Sequence, residues 1–236
     1  MSDMSEQSVE IASSQLGTKD FWDQRYELEL KNFKQHGDEG EVWFGTSSET
    51  RIVKYLIDSK TGKDAKILDL GCGNGSVLRK LRSKGFQSLK GVDYCQKAVD
   101  LSAAASKAER EEEEDEELVD IEFEQLDITT PPADFFSSKF DVILDKGTWD
   151  AMSLSDEREA RLKAYLGFLD NGLSAGGRFV IFSCNFTFDE MCSQFGGGGG
   201  STSLEIVCEV PASHSFSFGG KQGVTSTGAV FRKKTL

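Results

Sequence analysis

The decapeptide Lys66 to Gly75, KILDLGCGNG, constrains the fold of this chain more than any other stretch. Lys-Ile-Leu-Asp-Leu has the apolar and β-branched content of a strand covered on both faces, the setting of a parallel sheet. Gly71, Gly73 and Gly75 follow, and a backbone without Cβ atoms turns tightly and lets a ligand approach closely. Val77 to Leu81 then opens an apolar helical pattern. Open α/β sheets take their ligands at the carboxyl ends of the strands, where Asp69 stands, so the stretch points to a bound nucleoside.

Spacing separates the candidate ligands. The dinucleotide fingerprint is G-x-G-x-x-G, whereas this chain reads G-C-G-N-G with an acid before the turn. A pyrophosphate needs exposed helix amides and not an acid. Asp69 beside the turn Gly71-Cys72-Gly73-Asn74-Gly75 suits a ligand with a positively charged amine and no phosphate, such as S-adenosylmethionine. On these residues the chain resembles a class I S-adenosylmethionine-dependent methyltransferase. The resemblance implies a Rossmann-like α/β sheet of seven strands, mostly parallel with an antiparallel edge strand, and helices on both faces.

Later strands repeat the logic. Leu89 to Asp93 is an apolar strand ending in an acid about twenty residues beyond the glycines, where a carboxylate accepts the ribose hydroxyls of an adenosine. Tyr94 follows, either as a face for the adenine or as ordinary packing. Ile121 to Leu126 leads into Asp127-Ile128, which in methyltransferases contacts the adenine amino group. Phe140 to Leu144 ends in Asp145-Lys146-Gly147-Thr148-Trp149-Asp150. A single strand-terminal Asp is usually a turn former, but four along one sheet edge are hard to ascribe to turns alone.

Charge and cysteine usage narrow the partners. Acids outnumber bases 40 to 27, for a net charge of -13, whereas a nucleic-acid binder carries a basic patch. A basic protein surface is the expected substrate, because acidic walls around a cleft speed its encounter. Five cysteines without a CxxC pair, and only His36 and His214, support neither a disulfide framework nor a metal site. No apolar run approaches the length of a membrane span and Met1 to Gln15 has no apolar signal core. A monomeric cytoplasmic protein without membrane or nucleic-acid partners is expected.

At 236 residues the chain suits one α/β domain over residues 17–236, after a polar tail at 1–16 expected to be disordered. Thr18 to Phe33 places Phe21, Trp22, Tyr26, Leu30 and Phe33 at helical spacing, and Ser48 to Ile57 reads as a second helix. Together residues 17–64 are expected to lid the cleft. Eight of the nine residues from Glu109 to Glu117 are acidic, so 108–119 is expected as a solvated loop. Residues 196–203 read as a glycine-rich loop. Glu157 to Leu169 and Thr187 to Gln194 read as helices, Gly177 to Cys184 as a fifth strand, and Leu204 to Val210 and Ala229 to Arg232 as the last two.

FWDQRY at 21–26, EVWFG at 41–45, DLGCGNG, DKGTWDAM and SCNFT occur in the order seen in eukaryotic protein-lysine methyltransferases acting on translation elongation factor 1-alpha. The chain is similar over Thr18 to its end to the elongation factor 1-alpha lysine methyltransferase 2 family, called elongation factor methyltransferase 4 in fungi. The resemblance implies methyl transfer from S-adenosylmethionine to a lysine of that factor. Other classes open to the same fold are a small-molecule or RNA methyltransferase and a non-catalytic partner subunit that binds the cofactor.

The candidate catalytic residues are Asp145, Trp149 and Asn185. Asp145 is expected to orient the amine or the cofactor, Trp149 to wall the lysine channel or sit in the core, and Asn185 to offer its amide oxygen or cap the helix after it. Trp22, Arg25 and Trp43 are expected to close over the cofactor, with Arg25 pairing its carboxylate.

Overall fold

Ile67 and Leu68 are adjacent in sequence, completely buried and packed into different clusters, because successive strand residues face opposite sides of a sheet. They belong to β1 (Lys66–Leu70) of a computed structural model that describes residues 12–113, 118–196, 203–212, 216–218, 221–223 and 226–235. The same alternation recurs at Val142/Ile143 on β4 (Phe140–Lys146), Phe179/Val180 on β5 (Leu173–Ser183) and Val230/Phe231 on β9 (Thr227–Lys233). Strands apolar on both faces must be covered on both. Helices α2 (Gly45–Asp58) and α3 (Ser76–Arg82) cover one side with Ile52, Leu56, Val77, Leu78 and Leu81. Helices α5 (Thr148–Ser153), α6 (Arg158–Gly172) and α7 (Phe188–Phe195) cover the other with Trp149, Tyr165, Phe168 and Phe195.

With β2 (Ser88–Asp93), β3 (Glu122–Gln125) and β6 (Leu204–Val210), the sheet has seven strands in the order β3-β2-β1-β4-β5-β9-β6. The chain leaves β1 toward β2 and returns on its other side as β4, so the order reverses between β1 and β4. Leu70 is in register with both Val92 and Asp145, which brings the strand ends that carry the acids to one edge. The reversed strand is β9, antiparallel to β5 and to β6 and one place in from the edge that β6 closes. A separate ribbon pairs β7 (Phe216–Phe218) with β8 (Lys221–Gly223).

Local chemistry fixes the ends. Thr18 caps α1 (Lys19–His36) by accepting from the Phe21 amide, and Gly37 closes it in the left-handed region. Thr187 and Glu190 form a reciprocal capping box on α7. Helix α1 packs Tyr26 and Leu30 against Cys95, Ala98 and Leu101, the last two on α4 (Gln96–Glu113).

Three boundaries differ from the sequence expectation. Residues 1–11 lie outside the described residues, but Ser14 to Gly17 pack on the body: the Ser14 amide donates to Leu154 O at 3.0 Å and the Trp22 indole donates to Leu16 O at 2.7 Å. The expected acidic loop is helical up to Glu113, with residues 114–117 outside the described set. Alanine and glutamate are good helix formers, and Glu109 pairs with Arg82 at 2.8 Å and Glu111 with Lys107 at 3.7 Å. Of the 17–64 lid, α2 is a layer of the core, since Ile52 and Leu56 are completely buried. Of the glycine-rich loop, residues 197–202 lie outside the described residues.

Candidate active site

A cavity of about 1210 Å³, including the open space at its mouth, lies over the carboxyl ends of the strands at the order reversal. Its floor is the glycine turn. Gly71 and Gly73 have φ of 65° and 56°. A Cβ on Gly71 would lie 2.0 Å from Thr148 Oγ1, and one on Gly73 would lie 2.6 Å from the Tyr26 hydroxyl. Cys72 and Asn74 complete the wall there. Gly75 is not on the wall; its Cβ would meet Phe123 and Ser102 at 2.9 Å, so it serves the packing of α3.

Asp93 ends β2 and reaches the cavity. Its Oδ2 accepts from the Gly73 amide at 3.2 Å and its Oδ1 from the Cys95 amide at 2.9 Å. Burial pushes its carboxyl up to about 6, against the pull of those two N–H groups. Tyr94 lines the next part, its ring between Lys19 at 5.5 Å and Arg161 at 6.0 Å. Leu126, Asp127 and Ile128 follow on the wall. Asp127 is exposed, and its Oδ1 accepts from the Thr129 amide and hydroxyl at 2.9 and 2.6 Å.

Four other sequence candidates do not line the cavity. Asp145 is completely buried: Oδ1 accepts from the Thr148 amide at 2.9 Å, and Oδ2 from the Trp149 amide at 2.9 Å and the Tyr165 hydroxyl at 2.5 Å. It therefore holds the first turn of α5 from beneath and does not face an incoming amine. Burial raises its carboxyl to about 7, with the three donors opposing. Trp149 is a core residue, edge-on to Tyr165 at 5.1 Å and tilted on Phe195 at 4.7 Å. Asp69 lies behind the turn; burial pushes it up to about 8, Lys146 opposing and Asp145, Glu49 and Asp93 adding to the rise. Arg25 is not on the wall; its guanidinium is engaged by Glu29 at 2.6 Å and by the wall residue Glu41 at 2.9 Å.

Asn185 does line the mouth, and the cap of α7 is Thr187, which leaves the Asn185 side chain at the cavity. Trp22 and Trp43 also line it, edge to face at 5.0 Å. Trp43 belongs to a segment between α1 and α2 that is tied to α3 and to the glycine turn. Glu39 forks onto Arg79 at 2.9 and 2.6 Å, and the Asn74 side-chain amide donates to Glu39 O at 3.0 Å. Phe44 sits at φ 63°, and a Cβ on Gly147 would meet its ring at 2.9 Å.

Sequence reasoning passed over Tyr26, Lys146, Asp150, Arg161 and Cys184, all of which line the cavity. Lys146 donates to Trp43 O at 2.9 Å, and its Nζ lies 3.7 Å from Glu49 Oε1. Asp150 accepts from the Ser183 hydroxyl at 2.5 Å, the Cys184 amide at 2.8 Å and the Cys184 thiol at 3.2 Å. The readable sign was that DKGTWDAM holds two further charged side chains, Lys146 and Asp150, beside the chosen Asp145. Among the described residues no helix is long and apolar enough to cross a membrane, and no three His, Cys, Asp or Glu side chains are grouped to hold a metal ion.

Residues 61–213 match the family described as Methyltransferase domain. EEF1A lysine methyltransferase 2 of Mus musculus is 37% identical over 226 residues, covering 95% of this chain and 86% of that protein. Protein-lysine N-methyltransferase EFM4 of Saccharomyces cerevisiae is 34% identical over 238 residues, covering 96% of this chain and 98% of that protein. Among solved structures, N-methyltransferase NodS from Bradyrhizobium japonicum WM9 with S-adenosyl-l-homocysteine aligns with a TM-score of 0.59 at 18% identity, covering 90% of this chain and 98% of that one. Magnesium protoporphyrin IX methyltransferase from Synechocystis PCC 6803 with bound SAM aligns at 0.58 and 15% identity, covering 89% and 97%. These two share the fold. With its sheet order, its glycine turn and identity along nearly its whole length, the chain belongs to the methyltransferase domain family and, within it, to the EEF1A lysine methyltransferase 2 proteins.

Proposed function

We propose that this protein is an S-adenosylmethionine-dependent protein-lysine N-methyltransferase acting on a lysine of translation elongation factor 1-alpha in the cytoplasm. The observation that carries it is the likeness to proteins named for that activity, at 34–38% identity over 93–96% of the chain. The geometry supports it, because Gly71 and Gly73 line the cavity in left-handed backbone where a Cβ would collide with Thr148 and Tyr26, and the acid beside that turn is Asp93. Asp93 would receive the ribose hydroxyls, Tyr94, Leu126 and Ile128 would flank the adenine, and Asp127 would meet its amino group.

When bound, S-adenosylmethionine supplies a sulfonium methyl, a strong electrophile. The chain has to present a neutral amine in line and keep water out. With an ordinary pKa near 10.4, about 0.1% or less of a lysine is neutral at pH 7. Trp22, Trp43 and Phe44 supply apolar walls that favour the neutral form by desolvation. The net charge of -13 suits a basic protein partner and disfavours RNA. A monomer is sufficient for this reading, since one chain supplies every wall named.

Purified protein incubated with labelled cofactor and intact elongation factor 1-alpha should label one lysine, located by mass spectrometry. Label appearing instead on a metabolite or RNA, or cofactor binding without transfer to any component of a whole-cell extract, would overturn this function.

A further inference from the structure

We propose that Asp150 is a catalytic residue: its carboxylate receives the ammonium of the incoming lysine and takes the proton that must leave before the nitrogen can attack. This rests on the lysine-methyltransferase reading above.

The charged residues on the cavity wall are Glu41, Asp93, Asp127, Asp150, Lys146 and Arg161. Asp93 and Asp127 stand at the ends of β2 and β3, on the nucleoside side. Glu41 is held by Arg25. Asp150 is the acid on the β4–β5 side, on α5, next to Cys184 and Asn185 at the end of β5.

Its surroundings lack one component. Asp150 is 4% exposed, and the Ser183 hydroxyl and the Cys184 amide and thiol that donate to it are neutral. Among the described residues no lysine or arginine pairs with it; Lys146 is directed to Trp43 O and Glu49. A buried carboxylate without a cation is costly, the donors around Asp150, the Asn185 amide included, are all neutral, and the residue lines a wall open to a ligand. A lysine ammonium supplies both the charge and the donor. Asp145 lies near but off the wall, with its oxygens taken by Thr148, Trp149 and Tyr165.

In the step itself, one N–H bond of the ammonium breaks and its proton passes to a carboxylate oxygen of Asp150. The electron pair stays on nitrogen and forms the new N–C bond, while the pair of the breaking C–S bond stays on sulfur. The proton on Asp150 then passes to solvent at the mouth. Burial raises the Asp150 carboxyl above its ordinary range, which makes it a better acceptor. The thiol of Cys184, beside Asp150, does not compete for the methyl, because burial and the Asp150 charge push it up to about 12 and keep it protonated.

D150N removes the charge with little change of volume, and its amide oxygen can accept from the Cys184 amide in place of the carboxylate; Ser183 Oγ, which already accepts from the Asn185 and Phe186 amides, offers the new NH₂ no acceptor. Two readouts are taken: kcat on intact elongation factor 1-alpha, and calorimetric affinities for S-adenosylhomocysteine and for sinefungin, an analogue with a primary amine at the methyl position. D150N should lose about 100-fold or more in kcat, keep its affinity for S-adenosylhomocysteine, and lose about tenfold of its preference for sinefungin. A kcat within about threefold of wild type, or a loss of S-adenosylhomocysteine affinity that accounts for the loss of rate, overturns the assignment. If the wild type leaves the elongation factor unlabelled and D150N still loses its sinefungin preference, the substrate reading falls and the role of Asp150 stands.

Discussion

Tyr165 donates its hydroxyl to Asp145 at 2.5 Å, and both residues are completely excluded from solvent. The pair joins α6 to the end of β4 directly beneath α5, whose first two amides bond the same carboxylate. The acid of DKGTWDAM therefore acts as an internal helix cap, locked from the far side by a phenol.

Y165F removes the donor and leaves the ring packing. A buried acceptor deprived of a partner costs about 1–3 kcal/mol, so thermal unfolding should shift down by several degrees. Cofactor affinity should be little altered, because neither residue lines the cavity. An unchanged melting temperature would show that the hydroxyl contributes nothing.

Asp69 carries a stability cost that depends on pH. Its folded pKa of about 8 lies above the ordinary aspartate value of 3.8, so between them the folded state holds a proton that the unfolded state has released. Stability from this group is present below the unfolded value and is lost as pH rises from about 4 to about 8. D69N cannot ionise, and its melting temperature should gain on wild type progressively across that window and level off above it. Parallel pH curves for the two proteins would refute the assignment.

In the proposed site Asp93 has the opposite relation to pH. The form that accepts two hydroxyls is the ionised one, and its pKa is about 6, so calorimetric affinity for S-adenosylhomocysteine should weaken as pH falls through 6. D93A should abolish binding at every pH; retained affinity would remove Asp93 from the cofactor site.

Much of this was legible in the residues. Two-faced apolar strands such as KILDL and DVIL declare a covered parallel sheet, and the glycine turn with Asp93 twenty residues on declares the nucleoside side. What was not legible is which way a strand-end side chain points. Asp145 and Lys146 end β4 as successive residues on opposite faces, which buries Asp145 and leaves Lys146 on the wall, and Trp149 packs inward after the turn at Gly147. The pairing of Arg25 was hidden for a related reason: its partners Glu29 and Glu41 are 4 and 16 residues away, and the second is brought near only by the fold. The acidic block misled because composition reports charge, whereas Arg82, from a different helix, supplies the pairing that keeps the end of α4 helical.

Gly71 and Gly85 provide a controlled comparison of glycines. Both have positive φ, 65° and 82°, but a Cβ on Gly71 would lie 2.0 Å from Thr148 Oγ1 and one on Gly85 would meet nothing within 4 Å. G85A should cost only the backbone strain of about 1–2 kcal/mol and leave cofactor affinity intact. G71A should in addition displace Thr148, whose hydroxyl donates to Leu70 O at 2.6 Å, and abolish binding. Equal effects of the two substitutions on affinity would show that Gly71 has no special place in the cradle.

The segment between α1 and α2 gives the last prediction. It carries Glu41, Trp43 and Phe44 to the cavity and has left-handed backbone at Gly37, Gly40 and Phe44 and at Gly45 where α2 begins, so its conformation has to be held by its ties. The main one is the fork from Arg79, which is nearly buried, to Glu39, which is half exposed. An ion pair open to solvent on one side is weakened by salt. E39A should therefore speed dissociation of bound S-adenosylhomocysteine a few-fold, followed by stopped-flow tryptophan fluorescence through Trp22 and Trp43. Raising the salt concentration should bring the wild-type rate toward that of E39A while changing E39A less. If the two proteins release ligand at the same rate in low salt, the fork does not hold the segment closed over the cavity.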